Sequence, residues 1–279
     1  MASTASTSAA TASTATAAAP ADRRPDDHGT PLIRIQDLKV DYLSSRGPVR
    51  AVDGVTFQLR PGEVLGLAGE SGSGKSTIAQ AILRILQPPA VITGGSVVFG
   101  DRDVLSMDDE ELLGFRWRDV SMVFQSAMNA LNPVMTIGDQ IADVIMAHED
   151  VSHREAKKRA GELLEVVGIE ANRIDSYPHQ LSGGMRQRAV IAIALALKPP
   201  LMIMDEPTTA LDVVVQKEIL AQIAELREQL GFSIIFITHD LSLLVEIADR
   251  IAIMYAGQIV ELAAARELFT NPLHPYTQG

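Results

Sequence analysis

Apolar and polar residues alternate from Leu32 to Tyr42, through Ile33, Ile35, Leu38 and Val40, and again from Val49 to Leu59. A period of two predicts half-buried strands, and Gly47-Pro48 between the runs predicts the turn of an antiparallel hairpin. Val64 to Ala68, Val120 to Phe124, Leu201 to Met204, Phe232 to Thr238 and Ile251 to Tyr255 follow another rule, being short and almost wholly apolar. Such runs suit strands covered on both faces, and Ile251 to Tyr255, turned by Gly257, reads as the last of them. Gly94-Gly95 opens one more strand, Ser96 to Phe99.

Helical spacing fills the gaps. Ile78 to Leu86 predicts a helix that Pro88 and Pro89 forbid from continuing, and Asp101 to Glu111 begins an acidic one. From about Ile137 to Arg173 apolar residues recur as Ile141, Val144, Ile145 and Leu163, Leu164, Val167. His148 and His153 fall on the polar side of that segment and read as solvated, while Trp117 reads as a partly buried anchor. An amphipathic helix after Asp212 runs to Leu230, with Gly231 as its left-handed cap. Strands alternating with helices predict an α/β fold, preceded by an antiparallel β segment and interrupted by a helical subdomain at about 127–180.

Residues 1–30 are nearly all Ala, Ser and Thr before Pro, Asp and Arg enter, with nothing large enough to bury, and predict a disordered tail. A signal peptide would need early basic residues and a Leu-rich stretch. Residues 31–279 then form the folded domain.

Charge and cysteine usage narrow the chemistry. Against 35 acidic residues stand 24 basic ones, a net charge of −11, with no basic stripe to meet a nucleic-acid backbone. Absence of cysteine excludes disulfides and thiolate metal sites. The longest apolar run, Ala189 to Leu197, has nine residues, whereas a membrane span needs about twenty.

Gly69-Glu70-Ser71-Gly72-Ser73-Gly74-Lys75-Ser76-Thr77 fits the phosphate-loop pattern G-x-x-x-x-G-K-[ST], with a predicted strand before it and a helix after. Its glycines permit a tight turn that aims N–H groups inward at the positive end of a helix dipole. Lys75 adds a full charge and Ser76 a hydroxyl for Mg²⁺. Leu201 to Met204 delivers Asp205 and Glu206 at a strand end, one carboxylate placed to hold Mg²⁺ and the other free to orient or deprotonate water. Ser182, followed by Gly183 and Gly184, makes a second helix start able to hold an anion, about a hundred residues from the first. Tyr42 either packs in its strand or stacks on a purine, and position alone favours packing.

Phosphate loop, Gln125 after a strand, Leu181-Ser182-Gly183-Gly184-Met185, the strand ending in Asp205-Glu206, Ala210-Leu211-Asp212 and strand-end His239 occur in the order that resembles the ATP-binding subunit of ABC transporters. Finer features resemble the dipeptide, oligopeptide and nickel importer branch: Ala130-Leu131-Asn132-Pro133, Gly183 to Arg188, and Asn271-Pro272-Leu273-His274-Pro275-Tyr276-Thr277. Met185 is similar to the first of the two ATPase types there. Ser126-Ala127 depart from the acidic residue and proline that usually follow the glutamine, and relatives carry a longer segment beyond the position of Gly279.

The resemblance implies a phosphate-loop NTPase core of the RecA-like kind and binding of ATP and Mg²⁺. It implies adenine stacking on Tyr42, and Gln125 sensing Mg²⁺ and water. It further implies Glu206 as catalytic base, His239 at the γ-phosphate, and Asp212 at a dimer interface. Ser182, Gly183 and Gly184 would meet the ATP of a second ATPase subunit, identical or different. It also implies two integral membrane permease subunits, an extracellular substrate-binding protein acting indirectly, and a peripheral place on the cytoplasmic face of the membrane. Peptide is the expected cargo, with nickel or oligosaccharide as alternatives. A soluble ABC ATPase working on DNA or ribosomes is the competing class, and nucleic acid is not an expected partner.

Overall fold

The computed structural model describes residues 29–125, 129–209 and 211–278. All but Gly29 and Thr30 of the expected tail, the Ser126-Ala127 pair, and Ala210 of the Ala-Leu-Asp motif lie outside the described residues.

Among the described residues, ten strands form two sheets. Strands β1 (Ile33–Ser44), β2 (Gly47–Leu59), β4 (Ala90–Phe99) and β5 (Arg102–Asp103) pair antiparallel in the order β2-β1-β4-β5. The hairpin turns two residues earlier than the sequence suggests, at Ser45-Arg46. The Ser44 hydroxyl closes it by donating to the Gly47 carbonyl and accepting from the Arg46 N–H. Pro48 already belongs to β2, an edge strand where a missing N–H is tolerated. β4 also begins earlier than expected and runs through both glycines. Gly95 takes φ +90° where the pairing with β1 shifts register after Gln36, and a Cβ there would meet the Asp37 carbonyl oxygen at 2.4 Å. Gly95→Ala is therefore expected to cost on the order of 2 kcal/mol or more, read as a Tm lower by about 5 °C; an unchanged melt would mean the bulge relaxes freely.

The second sheet has the order β10-β9-β3-β8-β7-β6, made of β3 (Val64–Gly69), β6 (Val120–Val123), β7 (Leu201–Asp205), β8 (Ser233–Thr238), β9 (Arg250–Tyr255) and β10 (Gln258–Ala264). β6, β7, β8, β3 and β9 pair in parallel. β10 adds an antiparallel edge strand beyond the one expected to be last, through a two-residue turn in which Ala256 and Gly257 both have positive φ.

Alternation along the parallel strands explains their continuous apolarity. Leu65, Leu67, Leu201, Ile203, Ile235 and Ile237 join one core with the antiparallel sheet, and Met202, Met204, Ile234 and Phe236 join the other with the helices. Each strand is thus covered on both faces, giving three layers.

α1 (Lys75–Ile82) follows β3 and ends four residues before the predicted limit, with Arg84 at positive φ. The acidic stretch divides into β5, a 3₁₀ turn at Val104–Ser106, and α2 (Asp109–Phe115), which starts at an Asp108/Glu111 capping box. Trp117 is partly buried, as expected. Between β6 and β7 lie α3 (Ile137–His148), α4 (His153–Val166) and α5 (Gly183–Ala194), giving the inserted helical layer. His148 is half-buried rather than solvated: burial, then the Arg118 guanidinium, which donates to the His148 carbonyl, lowers its pKa. His153 is exposed, 3.3 Å from Asp139. α6 (Val213–Leu230) is capped by Asp212 at its start and by Gly231 at φ +75° at its end. α7 (Leu241–Ile247), α8 (Ala265–Thr270) and α9 (Pro275–Gln278) complete the fold.

Candidate nucleotide site

Because β3, β6, β7 and β8 run parallel, their C-terminal ends share one edge of the sheet. At that edge stand the phosphate loop after Gly69, Gln125 after β6, Asp205-Glu206 closing β7, and His239 after β8. A ligand at the carboxyl edge meets all four segments.

The loop depends on its glycines at two close approaches. Gly69 has φ +150°, and a Cβ on it would lie 2.3 Å from the Met254 carbonyl oxygen; Gly74 has φ +103°, and a Cβ would lie 2.3 Å from that of Ala51. Gly74 is the N-cap of α1 and offers no side chain to the helix's first N–H groups. These stay available to an anion. Lys75, 5% exposed, turns back over the loop, its Nζ donating to the carbonyls of Gly69 (2.8 Å) and Glu70 (2.7 Å). Burial lowers its pKa, with Glu206 and then Asp205 opposing. Ser71 and Gly72 are exposed, and Ser76 and Thr77 half-buried on the first turn of α1.

Asp205 is 4% exposed, and its Oδ1 is buried without a hydrogen-bond partner. Burial raises its pKa, while a hydrogen bond from Ser76 lowers it. A buried carboxylate oxygen with unused lone pairs beside a hydroxyl is the hard-oxygen donor set that suits Mg²⁺.

Glu206 takes φ +46°, a conformation that side chains rarely adopt and that the strand end imposes. Its Oε2 accepts from Gln125 Nε2 at 3.0 Å and Thr209 Oγ1 at 3.1 Å, and its Oε1 lies 3.2 Å from His239 Nδ1. Residues 81 and 33 positions away in the chain thus hold one carboxylate. A carboxylate fixed on three sides beside a lysine-bearing anion loop can orient a water and take its proton. A cavity of about 610 Å³ opens over it, lined among others by Glu70, Ser71, Gln125, Glu206, His239 and Tyr276.

Tyr42 is half-buried in β1 opposite Val49 and Ala90. Ser182 caps α5 by accepting from Met185 N–H at 3.2 Å; Gly183 and Gly184 form its first turn, and a Cβ on Gly184 would press on Val215 at 2.9 Å. Neither Tyr42 nor these three residues line the cavity. The sequence places neither Thr209 nor Tyr276, the latter known only as part of the Asn271–Thr277 motif, at the site. Thr209 sits three positions after Glu206, near enough for its hydroxyl to turn back, whereas no local pattern links Tyr276 to a loop two hundred residues away.

The model of the ABC transporter family matches residues 52–209, from the second strand through the Glu206 segment. The chain belongs to the ABC transporter family. The cassette is 47% identical over 253 residues to the oligopeptide transport ATP-binding protein OppD of Bacillus subtilis, covering 90% of this chain and 71% of that one. With the dipeptide transport ATP-binding protein DppD of the same organism it shares 44% over 251 residues, 89% of this chain and 75% of the relative. A putative peptide import ATP-binding protein of Brucella melitensis is 48% identical, with coverage of 89% and 76%. Among solved structures, a dimeric cassette, MJ0796, bound to ADP and Pi superposes with a TM-score of 0.74 at 30% identity, over 84% of this chain and 99% of that one. CbiO1 from Clostridium perfringens, part of a cbiONQ transporter complex, gives 0.75 at 26% identity, with coverage of 86% and 91%. The cassette is thus an ATPase subunit with the phosphate-loop core, and no helix among its described residues is long and apolar enough to cross a membrane.

Proposed function

We propose that the cassette hydrolyses ATP to drive peptide import, acting at the cytoplasmic face of the membrane on two integral permease subunits that an extracellular binding protein feeds. The observation that carries the chemistry is Glu206 held by Gln125, Thr209 and His239 beside the phosphate loop. The peptide cargo rests on relatives named for oligopeptide and dipeptide transport.

In this reading residues 31–279 work as one ATPase domain with a helical subdomain at about 127–180. The loop from Gly69 to Thr77, with the Lys75 ammonium, holds the phosphates, and Tyr42 stacks on the base. Ser76, Asp205 and Gln125 would hold Mg²⁺, which when bound neutralises charge on the phosphate oxygens. Glu206 takes a proton from water as its oxygen bonds to the γ-phosphorus and the bond to the β–γ bridging oxygen breaks, releasing ADP and phosphate. His239 contacts the γ-phosphate. A second ATPase subunit supplies Ser182, Gly183 and Gly184 to this ATP, with Asp212 at the interface, so nucleotide joins the two and hydrolysis parts them.

Tagged Glu206→Gln protein with ATP and Mg²⁺ is expected to retrieve two polytopic subunits and an ATPase from detergent-solubilised native membranes. Retrieval of ribosomes or DNA would overturn the transport reading. Ser182→Gly spares most of the cap, costing a few tenths of a kcal/mol, and removes the hydroxyl. Hydrolysis is expected to fall about tenfold with ATP affinity of the isolated chain unchanged; weakened affinity there would show that Ser182 serves its own chain's nucleotide.

A further inference from the structure

The loop's Gly69–Glu70 peptide is held from two directions. Its carbonyl accepts from Lys75 Nζ at 2.8 Å, and its N–H donates to the Tyr276 hydroxyl at 3.3 Å. The Tyr276 ring packs on Tyr255, centroids 4.7 Å apart, and Tyr255 ends β9, the strand that pairs with β3. Just before Tyr276, Glu261 of β10 accepts from the N–H groups of Leu273 at 2.8 Å and His274 at 3.0 Å, and the His274 ring accepts from Tyr276 N–H. The turn carrying Tyr276 is therefore anchored to the sheet edge, and Tyr276 lines the cavity together with Gln125, Glu206 and His239.

We infer that Tyr276 is a positioning residue for ATP binding, acting on Lys75 through the Gly69–Glu70 peptide. This rests on the ATP-site reading above. A donor held at one end of a peptide group fixes and polarises the carbonyl at its other end. The hydroxyl thereby sets the plane of the peptide against which the lysine is aligned, leaving the N–H groups at the start of α1 to the phosphates. Its hydroxyl meets the loop backbone, whereas Glu206 is held by Gln125, Thr209 and His239, so Tyr276 governs affinity and not the chemical step.

Tyr276→Phe keeps the ring on Tyr255 and removes the hydroxyl. Expected are faster amide hydrogen exchange at Glu70, measured without nucleotide, a rise of about fivefold in the ATP Kd as befits one neutral hydrogen bond, and kcat within twofold. Glu261→Ala, which frees the turn from β10, is expected to raise Kd similarly. Unchanged exchange at Glu70, an unchanged Kd, or a fall in kcat at constant Kd would each overturn the inference. Lys75→Ala separates the two readings: if it loses ATP while Tyr276→Phe does not, the positioning role alone fails, and if it binds ATP like the parent the site reading fails and the inference with it.

Discussion

A Glu206→Gln protein is expected to bind ATP as the parent does and to hydrolyse it about a hundredfold to ten-thousandfold more slowly, the range for loss of a positioned base. The amide oxygen can still accept from Gln125 and Thr209, so the scaffold around position 206 survives the change. What goes is basicity: an amide takes no proton from water. Binding is spared because Glu206 is an anion beside an anion site. Its carboxylate is the first charge that opposes the lowered pKa of Lys75, and removing it takes nothing from phosphate affinity. Phosphate release gives the rate and equilibrium dialysis gives the affinity. A variant hydrolysing within a few-fold of the parent would leave Glu206 as a structural acid only.

Strands of the parallel sheet were legible because burial on both faces writes itself as an unbroken apolar run, and Leu201 to Asp205 is buried at every position. β10 was not, since Gln258–Ala264 is half-exposed on an edge and shows neither alternation nor a continuous run. The hairpin turn was misplaced by two residues because Gly and Pro are strong turn signals, yet Pro48 is tolerated inside an edge strand and a serine hydroxyl closes the turn. The same limit applied to Gly94-Gly95, which bend a strand and do not begin one. At the site, motifs fixed by backbone geometry could be read directly. A contact that arises only from packing could not: Tyr276 on the loop depends on where β9 and β10 bring their ends.

Lys75→Ala is expected to weaken ATP binding about a hundredfold, ~2.7 kcal/mol, the upper part of the range for a hydrogen-bonded charge. Two losses combine. The ammonium no longer meets the phosphates, and the carbonyls of Gly69 and Glu70 lose the donor that ties the loop to the start of α1. Lys75→Arg is not expected to rescue, because a planar fork cannot replace a point charge seated under a tight loop. The lysine also leaves a pH signature that separates charge from loop packing. Burial places its pKa below the ordinary 10.5 in the free chain. Anion affinity needs the charged form, so raising the pH through that depressed value removes the charge and weakens binding. In the parent the ATP Kd should therefore begin to rise on the acid side of 10.5, measured with the fold monitored by circular dichroism. In Lys75→Ala that rise should vanish, leaving a weak and nearly flat profile. The same alkaline rise in both proteins would assign it to another group and reduce Lys75 to a brace of the loop.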